Sequence, residues 1–321
     1  MIRNFITAIC LASLALSAAA QDLPLSQILI PGEEWELVAD GYRFAEGPSA
    51  DRQGNLYFAD YSASIIYKVD HATKQITRFS DNSYKTGGMM VGPDGLLYAA
   101  QAAGNRIAAY TSDGIYHVIA DGISVNDLVV ASDNSIWFTD PEGGRVWYIS
   151  PDRLTVKPVA ENLHPNGIIL AHREGTVVVA DTEKPHLWAF RAELDGSLTA
   201  GAPVFAPLRL PFETAKPGSD GMTVDTQDRV FVATKLGIQV FDTEDRFSGV
   251  IDTPIRGSGP SNLTFAGPNF DYLYVTMPHA LYRLRTATTG VPYFLRDYEA
   301  MEREQRERFE RLRQQRQRQQ R

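Results

Sequence analysis

The stretch VNDLVVASDNSIWFTDP, residues 125–141, carries two short apolar runs around a turn-forming centre. Residues 128–130 and 136–138 are strand formers, and Ser132-Asp133-Asn134 between them supplies turn residues. Polar pairs stand at both ends, Asn126-Asp127 at the start and Thr139-Asp140 at the finish. The pattern predicts a hairpin that gathers an amide and carboxylates at its open end.

The same pattern recurs along the chain. EGPSADRQGNLYFAD begins at Glu46, GGMMVGPDGLLYAAQ at Gly87, NGIILAHREGTVVVAD at Asn166, DGMTVDTQDRVFVAT at Asp220 and NLTFAGPNFDYLYVTM at Asn262. With Asn126, the starts are spaced by 41, 39, 40, 54 and 42 residues. A third strand follows each hairpin (SIIYKVD, RIAAYTS, RVWYISP, HLWAFRA, GIQVFDT, ALYRLRT), and a fourth follows several. A period near forty with four short strands per unit predicts an all-β, six-bladed β-propeller. A sandwich leaves the fixed period unexplained. The longer step predicts an insertion around residues 196–219. The sixth unit lacks a clear fourth strand, and EWELVAD at residues 34–40 is expected to supply it and close the ring.

The ends read differently. Arg3, an apolar run over residues 5–16 and Ala18-Ala19-Ala20 predict a signal peptide over residues 1–20 and a secreted or periplasmic protein. Cys10 is the only cysteine and lies in that segment, so a processed chain would have no disulfide or cysteine chemistry. The propeller is expected over residues 21–295, with no further membrane segment. Residues 296–321, rich in Glu, Arg and Gln without Gly or Pro, predict a charged helical tail. Net charge −8 disfavours nucleic acid as the main partner.

In a propeller the first strand of each blade lines the central channel, so the six starts form a ring at one mouth. That ring reads Glu46, Gly87, Asn126, Asn166, Asp220 and Asn262. A second register at the hairpin ends reads Asp60, Gln101, Asp140, Asp181, Thr234 and Met277. Convergent buried carboxylates and amides are costly unless something satisfies them. Oxygen donors without a His or Cys cluster suit a hard cation, Ca²⁺ first, with Mg²⁺ and other divalent cations as alternatives. Such a site can polarise a carbonyl and activate water beside a carboxylate base. No G-x-S-x-G, H-E-x-x-H or phosphate-binding glycine motif competes with it.

At these residues the chain resembles the senescence marker protein/gluconolactonase/luciferin-regenerating enzyme family of calcium-dependent six-bladed propellers. AEGPSADRQGNLYFAD, VNDLVVASDNSIWFTDP, HPNGIIL, SDGMTVDTQDRVFVAT and SNLTFAGPNFDYLYVT carry the resemblance, in order and at matching spacing. It implies Glu46, Asn166 and Asp220 as metal ligands and Asn126 as a contact to substrate or to a metal-bound water. Asp220 is the expected proton acceptor, with Asp127, Asp140 or water as alternatives; Asn126, Asp127 and Asp140 are the expected substrate contacts. Some members carry an arginine just before the Asn-Asp pair, where this chain has Ser124-Val125. The leading reading is an exported Ca²⁺-dependent hydrolase of lactones, gluconolactone among the candidates. The alternatives are a metal-stabilised binding module without turnover, and a phosphotriester or other ester hydrolase at the same metal. The substrate is a small-molecule lactone or ester, and the oligomeric state is left open.

Overall fold

A computed structural model describes residues 25–171, 173–200, 205–255 and 257–292. They form six antiparallel sheets, five of four strands and one of five. Four of the sheets are meanders in sequence order, one adds a strand from the N-terminal end and one carries a fifth strand on its third, and each sheet is one blade. Blade 1 comprises Ala45–Ala50, Leu56–Asp60, Ile65–Val69 and Ile76–Ser80; blade 3 comprises Leu128–Val130, Ile136–Asp140, Arg145–Ile149 and Val156–Glu161. Blade 2 runs from Thr86–Val91 out to Tyr116–Asp121, and blade 5 from Met222–Val224 out to Phe247–Ile251.

The ring closes as the sequence predicts. Glu36–Asp40 pairs antiparallel with Ala280–Arg285, the third strand of blade 6, with Glu36 opposite Arg283. Arg283 Nε donates to Glu36 Oε2 at 2.7 Å, which fastens the seam. The last blade is thus built from both ends of the propeller, and neither of its flanking segments is left with an open edge.

Burial explains the strand compositions. Second strands such as Leu56–Asp60, Ile136–Asp140 and Val230–Thr234 are buried at every position. Their two faces are covered by the neighbouring blades, so they read as continuous apolar runs rather than alternating ones. Outermost strands such as Tyr116–Asp121 and Val156–Glu161 are only partly covered and carry charge. The core is therefore a set of seams between blades, such as the one joining Val129, Trp137, Ile169, Val178, Met222 and Val230.

Blade 4 holds the long step. Its third strand, His186–Ala192, pairs with Leu198–Ala200 and with Phe205–Pro207. Residues 208–219 then return to the axis along the mouth face. Leu208 N–H donates to Pro185 O at 2.9 Å, and Ser219 Oγ donates to Asp181 O at 2.7 Å. Residues 286–292 cross the opposite end of the channel, where Thr226 N–H donates to Thr289 O and Gly290 N–H to Phe270 O. The segments read as signal peptide and helical tail lie outside the described residues.

Candidate functional site

Backbone hydrogen bonds fix how the blade starts align. Asn126 N–H donates to Thr139 O at 3.0 Å, and Ser261 N–H donates to Thr276 O at 2.9 Å. One residue on, Asp127 N–H donates to Thr139 Oγ1 at 3.0 Å and Asn262 N–H to Thr276 Oγ1 at 3.1 Å. Asp127 Oδ1 accepts from Leu128 N–H and Asn262 Oδ1 from Leu263 N–H, both at 2.8 Å. Asn262 therefore occupies the place of Asp127, and Ser261 that of Asn126. The ring of starts is Glu46, Gly87, Asn126, Asn166, Asp220 and Ser261, one residue removed in blade 6 from the alignment of the bare sequence. The Ser261 hydroxyl is committed to the fold, donating to Ala45 O of blade 1 at 2.8 Å.

The ring just inside it reads Gly47, Gly88, Asp127, Gly167, Gly221 and Asn262. Four glycines make room for two side chains. A Cβ on Gly88 would lie 1.7 Å from Asp127 Oδ1, and one on Gly221 would lie 2.1 Å from Asn262 Oδ1. Blades 3 and 6 stand opposite each other in a ring of six, so Asp127 and Asn262 approach across the axis. The Asn262 amide lies close enough to the Asp127 and Glu46 carboxylates to favour their charged forms. Beneath them the channel holds a cavity of about 80 Å³ with walls from the first strands, and Phe270, Val291 and Pro292 line its far part.

Exposure differs around the ring of starts. Asn126, Asn166 and Asp220 keep part of their surface open, whereas Glu46, Asp127 and Asn262 are buried. Each first-ring residue is held by backbone: Asp220 N–H donates to Ala233 O at 3.0 Å, and Thr139 Oγ1 of blade 3 donates to Asn166 O of blade 4 at 2.7 Å. The Asn166 side chain lies beside the Asp220 carboxylate and favours its charged form.

Three carboxylates thus share one small space. Loss of water, and then the nearby Asp127 charge, push Glu46 up to about 7, against stabilising bonds from Gly47 N–H and Asn262. Loss of water alone raises Asp127 to about 7. Asp220 is raised well above the usual carboxylate range by burial and by the charges of Glu46 and Asp127. The charged groups acting on the three are one another, and no Lys, Arg or His is among them. Negative charge without a positive partner in a desolvated site is the condition under which a bound cation is most stabilising.

Whether these residues fit such a cation depends on which donors count. Among the described residues, no group of three His, Cys, Asp or Glu side chains is arranged to hold a metal ion by itself. The predicted set of Glu46, Asn166 and Asp220 is of another kind, two carboxylates and an amide from three blades. Its chemistry, oxygen donors only with part of the ring open to water, fits a hard cation.

The remaining predicted residue has a structural task. Asp140 Oδ1 accepts from Gly143 N–H at 2.7 Å and Oδ2 from Trp147 Nε1 at 3.2 Å. Asp60 and Asp181 do the same in their blades, Asp181 accepting from Glu183 N–H, Lys184 N–H and Trp188 Nε1. In blades 1, 3 and 4 the second register thus braces the turn between second and third strands. What the sequence left unseen is the contact of Asn262 with Asp127 and Glu46. The parallel of Asn262-Leu263 with Asp127-Leu128 was its available signal.

Comparison with known proteins agrees with this architecture. Lactonase drp35 of Staphylococcus epidermidis is 30% identical over 249 residues, covering 72% of this chain and 76% of that protein. A gluconolactonase from Xanthomonas campestris superposes with a TM-score of 0.72 at 26% identity, over 82% of this chain and 92% of its own. Regucalcin, a calcium-binding protein from Agrobacterium tumefaciens, shares the fold with a TM-score of 0.68 at 16% identity, over 81% and 96%. The SMP-30/Gluconolactonase/LRE-like family model matches residues 44–279, which takes in all six blade starts and the whole carboxylate cluster, and the chain belongs to that family.

Proposed function

We propose that this protein is an exported, divalent-cation-dependent lactone hydrolase, with Ca²⁺ as the cation. One observation carries the reading: the Glu46, Asp127 and Asp220 carboxylates, from three blades, act on one another at a channel mouth beside Asn166, with no Lys, Arg or His of the described residues among the charged groups acting on them. The lactonase and gluconolactonase named among its relatives point to the reaction.

Glu46, Asn166 and Asp220 would hold the cation, which when bound polarises a carbonyl and makes water a better nucleophile. Asn126, part-open at the mouth, orients the lactone through its amide. Asp220 reaches solvent and contacts the other two carboxylates electrostatically, so it accepts the proton lost by the attacking water, with Asp127 beside it. Asn262 holds Asp127 and Glu46 in place. The water oxygen bonds to the carbonyl carbon, the ring C–O bond breaks, and the ring oxygen takes a proton to give a hydroxy acid.

Export is supported by Arg3, the apolar residues 5–16 and the alanines before Gln21. Among the described residues no helix is long and apolar enough to cross a membrane. The test is a panel of lactones, esters and phosphotriesters assayed with chelator and with Ca²⁺ restored. Lactone hydrolysis that is lost and regained supports the proposal. Cation binding without turnover of any panel member would make the protein a binding module, and preferential phosphotriester cleavage would reassign the reaction.

A further inference from the structure

The mouth of the channel is not uniform around its rim. Three loops of the blade 5 side meet there: residues 208–219, the turn at Lys235-Leu236, and the described residues 252–255 and 257–260. Lys235 N–H donates to Pro217 O at 3.2 Å. The Lys235 side chain packs against Gly218, where a Cβ would be 2.8 Å from it. The Lys235 backbone lies against Gly259 of the third loop, at 3.3 Å from the position a Cβ would take. The three loops are therefore one continuous surface.

That surface carries apolar side chains facing water. Leu210, Leu236 and Ile255 are exposed by 37, 37 and 39%, and Phe212 is fully exposed at the tip of the turn closed by Thr214 N–H to Pro211 O. Ten large apolar side chains are exposed among the described residues, and four of them fall on these three loops. The other side of the rim is polar and aromatic: Arg43, Tyr61, and Tyr84 stacked on the Arg106 guanidinium at 4.2 Å.

The loops also lead directly into the site. The first ends at Asp220, and the third at Ser261-Asn262. Asp220 N–H is bonded to Ala233 O, and Leu236 sits in the turn three residues further on. A ring bound at Asp220 would thus have an apolar shelf within reach of a short chain. Clustered exposed apolar groups mark a binding surface, and continuity with the carboxylate cluster identifies what it binds.

Building on the lactone hydrolase reading, we infer that the blade 5 rim receives the apolar substituent of the substrate, and that the preferred substrates are lactones bearing an alkyl or aryl chain rather than polyhydroxylated sugar lactones. The absence of an arginine at Ser124-Val125 removes a donor suited to sugar hydroxyls, in keeping with this preference.

The experiment compares δ-valerolactone with δ-undecalactone, the same ring carrying a hexyl chain, and with gluconolactone, using the full Ca²⁺-loaded chain. A fully buried methylene is worth roughly a fourfold gain, so partial cover of six carbons gives kcat/KM at least tenfold higher for the hexyl lactone. Phe212→Ser and Leu236→Ser each lower the ratio of the hexyl to the unsubstituted lactone at least threefold, through KM. Phe212 touches no core, so Phe212→Ser reports on the surface without a folding defect. Equal kcat/KM for the two δ-lactones, a preference for gluconolactone, or a ratio untouched by both substitutions would each overturn the inference while leaving lactone hydrolysis intact. An unchanged ratio combined with weakened co-sedimentation on phosphatidylglycerol vesicles would reassign the shelf to a membrane surface. No hydrolysis of any of the three would instead remove the reading on which it rests.

Discussion

If the site holds a cation as proposed, removing it will make this protein's stability fall as pH rises. Glu46 and Asp127 have folded-state values of about 7, against ordinary values of 4.5 and 3.8. A carboxyl group raised by folding holds its proton more tightly in the native state than in the unfolded chain. Stability is therefore greatest below the unfolded value and is lost as pH climbs through the folded value, here from about 4 to about 8. The cost at the top of that window is about 3 kcal/mol for Glu46 and about 4 kcal/mol for Asp127. The groups repel each other and their costs do not simply add, so the larger sets the scale. At about 2 °C per kcal/mol for a domain of this size, the chelated protein loses about 5 °C in Tm between pH 5 and pH 8, because part of the cost is already incurred below pH 5. A bound cation replaces the missing positive charge and cancels the loss. His71 and His186 are lowered by burial and contribute with the opposite sign across the same window. They do so equally with and without the cation, so the Tm difference between loaded and chelated protein isolates the carboxylates. That difference, followed by differential scanning fluorimetry in EDTA and in Ca²⁺, widens by about 5 °C from pH 5 to pH 8. A difference that is constant with pH, or that narrows, would refute the placement of unneutralised carboxylates at the cation site.

Four substitutions separate the roles of individual groups. Asp220→Ala removes both Ca²⁺ binding, read by calorimetry, and lactone hydrolysis. Asn126→Ala lowers kcat/KM at least tenfold while changing Ca²⁺ affinity less than threefold, and equal losses would make Asn126 a ligand. Gly88→Ala places a Cβ in the space of Asp127 Oδ1, displacing that carboxylate and destabilising the fold by about 1–3 kcal/mol; unaltered activity would mean that Asp127 has no part in the reaction. Asp225→Ala leaves the fully buried Arg229, paired to it at 2.6 Å, without its counter-charge. That costs about 3–5 kcal/mol in urea unfolding without altering Ca²⁺ affinity, since the pair lies at the end of the channel away from the carboxylates.

The fold was legible because propeller blades repeat a local rule. Each second strand is covered on both faces, so IWFTD, VFVAT and LYFAD announce themselves as apolar runs at a steady interval. Ring closure was legible because the sixth unit lacked an outer strand and a strand-like segment stood unused near the other end. The site was legible only in part. Glu46, Asn166 and Asp220 are blade starts, and aligning blade starts needs only the period. Asp140 looked like a member of the site because it ends a strand on the same side. Its partners, Gly143 N–H and the Trp147 indole, come from the turn and third strand of its own blade, and strand periodicity does not specify turns.

The harder case is Asn262, where the hydrophobic pattern misleads by one residue. Counting from its apolar neighbours sets it beside Asn126, whereas the Thr276 hydroxyl sets it beside Asp127. The difference decides its chemistry. In the outer ring it would be one more amide at the mouth. In the inner ring it faces Asp127 across the axis, above the glycine of the preceding blade. Glycine at four of six inner positions is what permits this, since a side chain there would strike the backbone or side chain of the next blade. From sequence the same glycines are only residues after Glu46, Gly87, Asn166 and Asp220. Their meaning comes from the neighbouring blade, some forty residues away, and a one-blade pattern cannot contain it. The two non-glycine exceptions then mark the blades that send groups to the axis, and blades 3 and 6 are the pair for which those groups can meet.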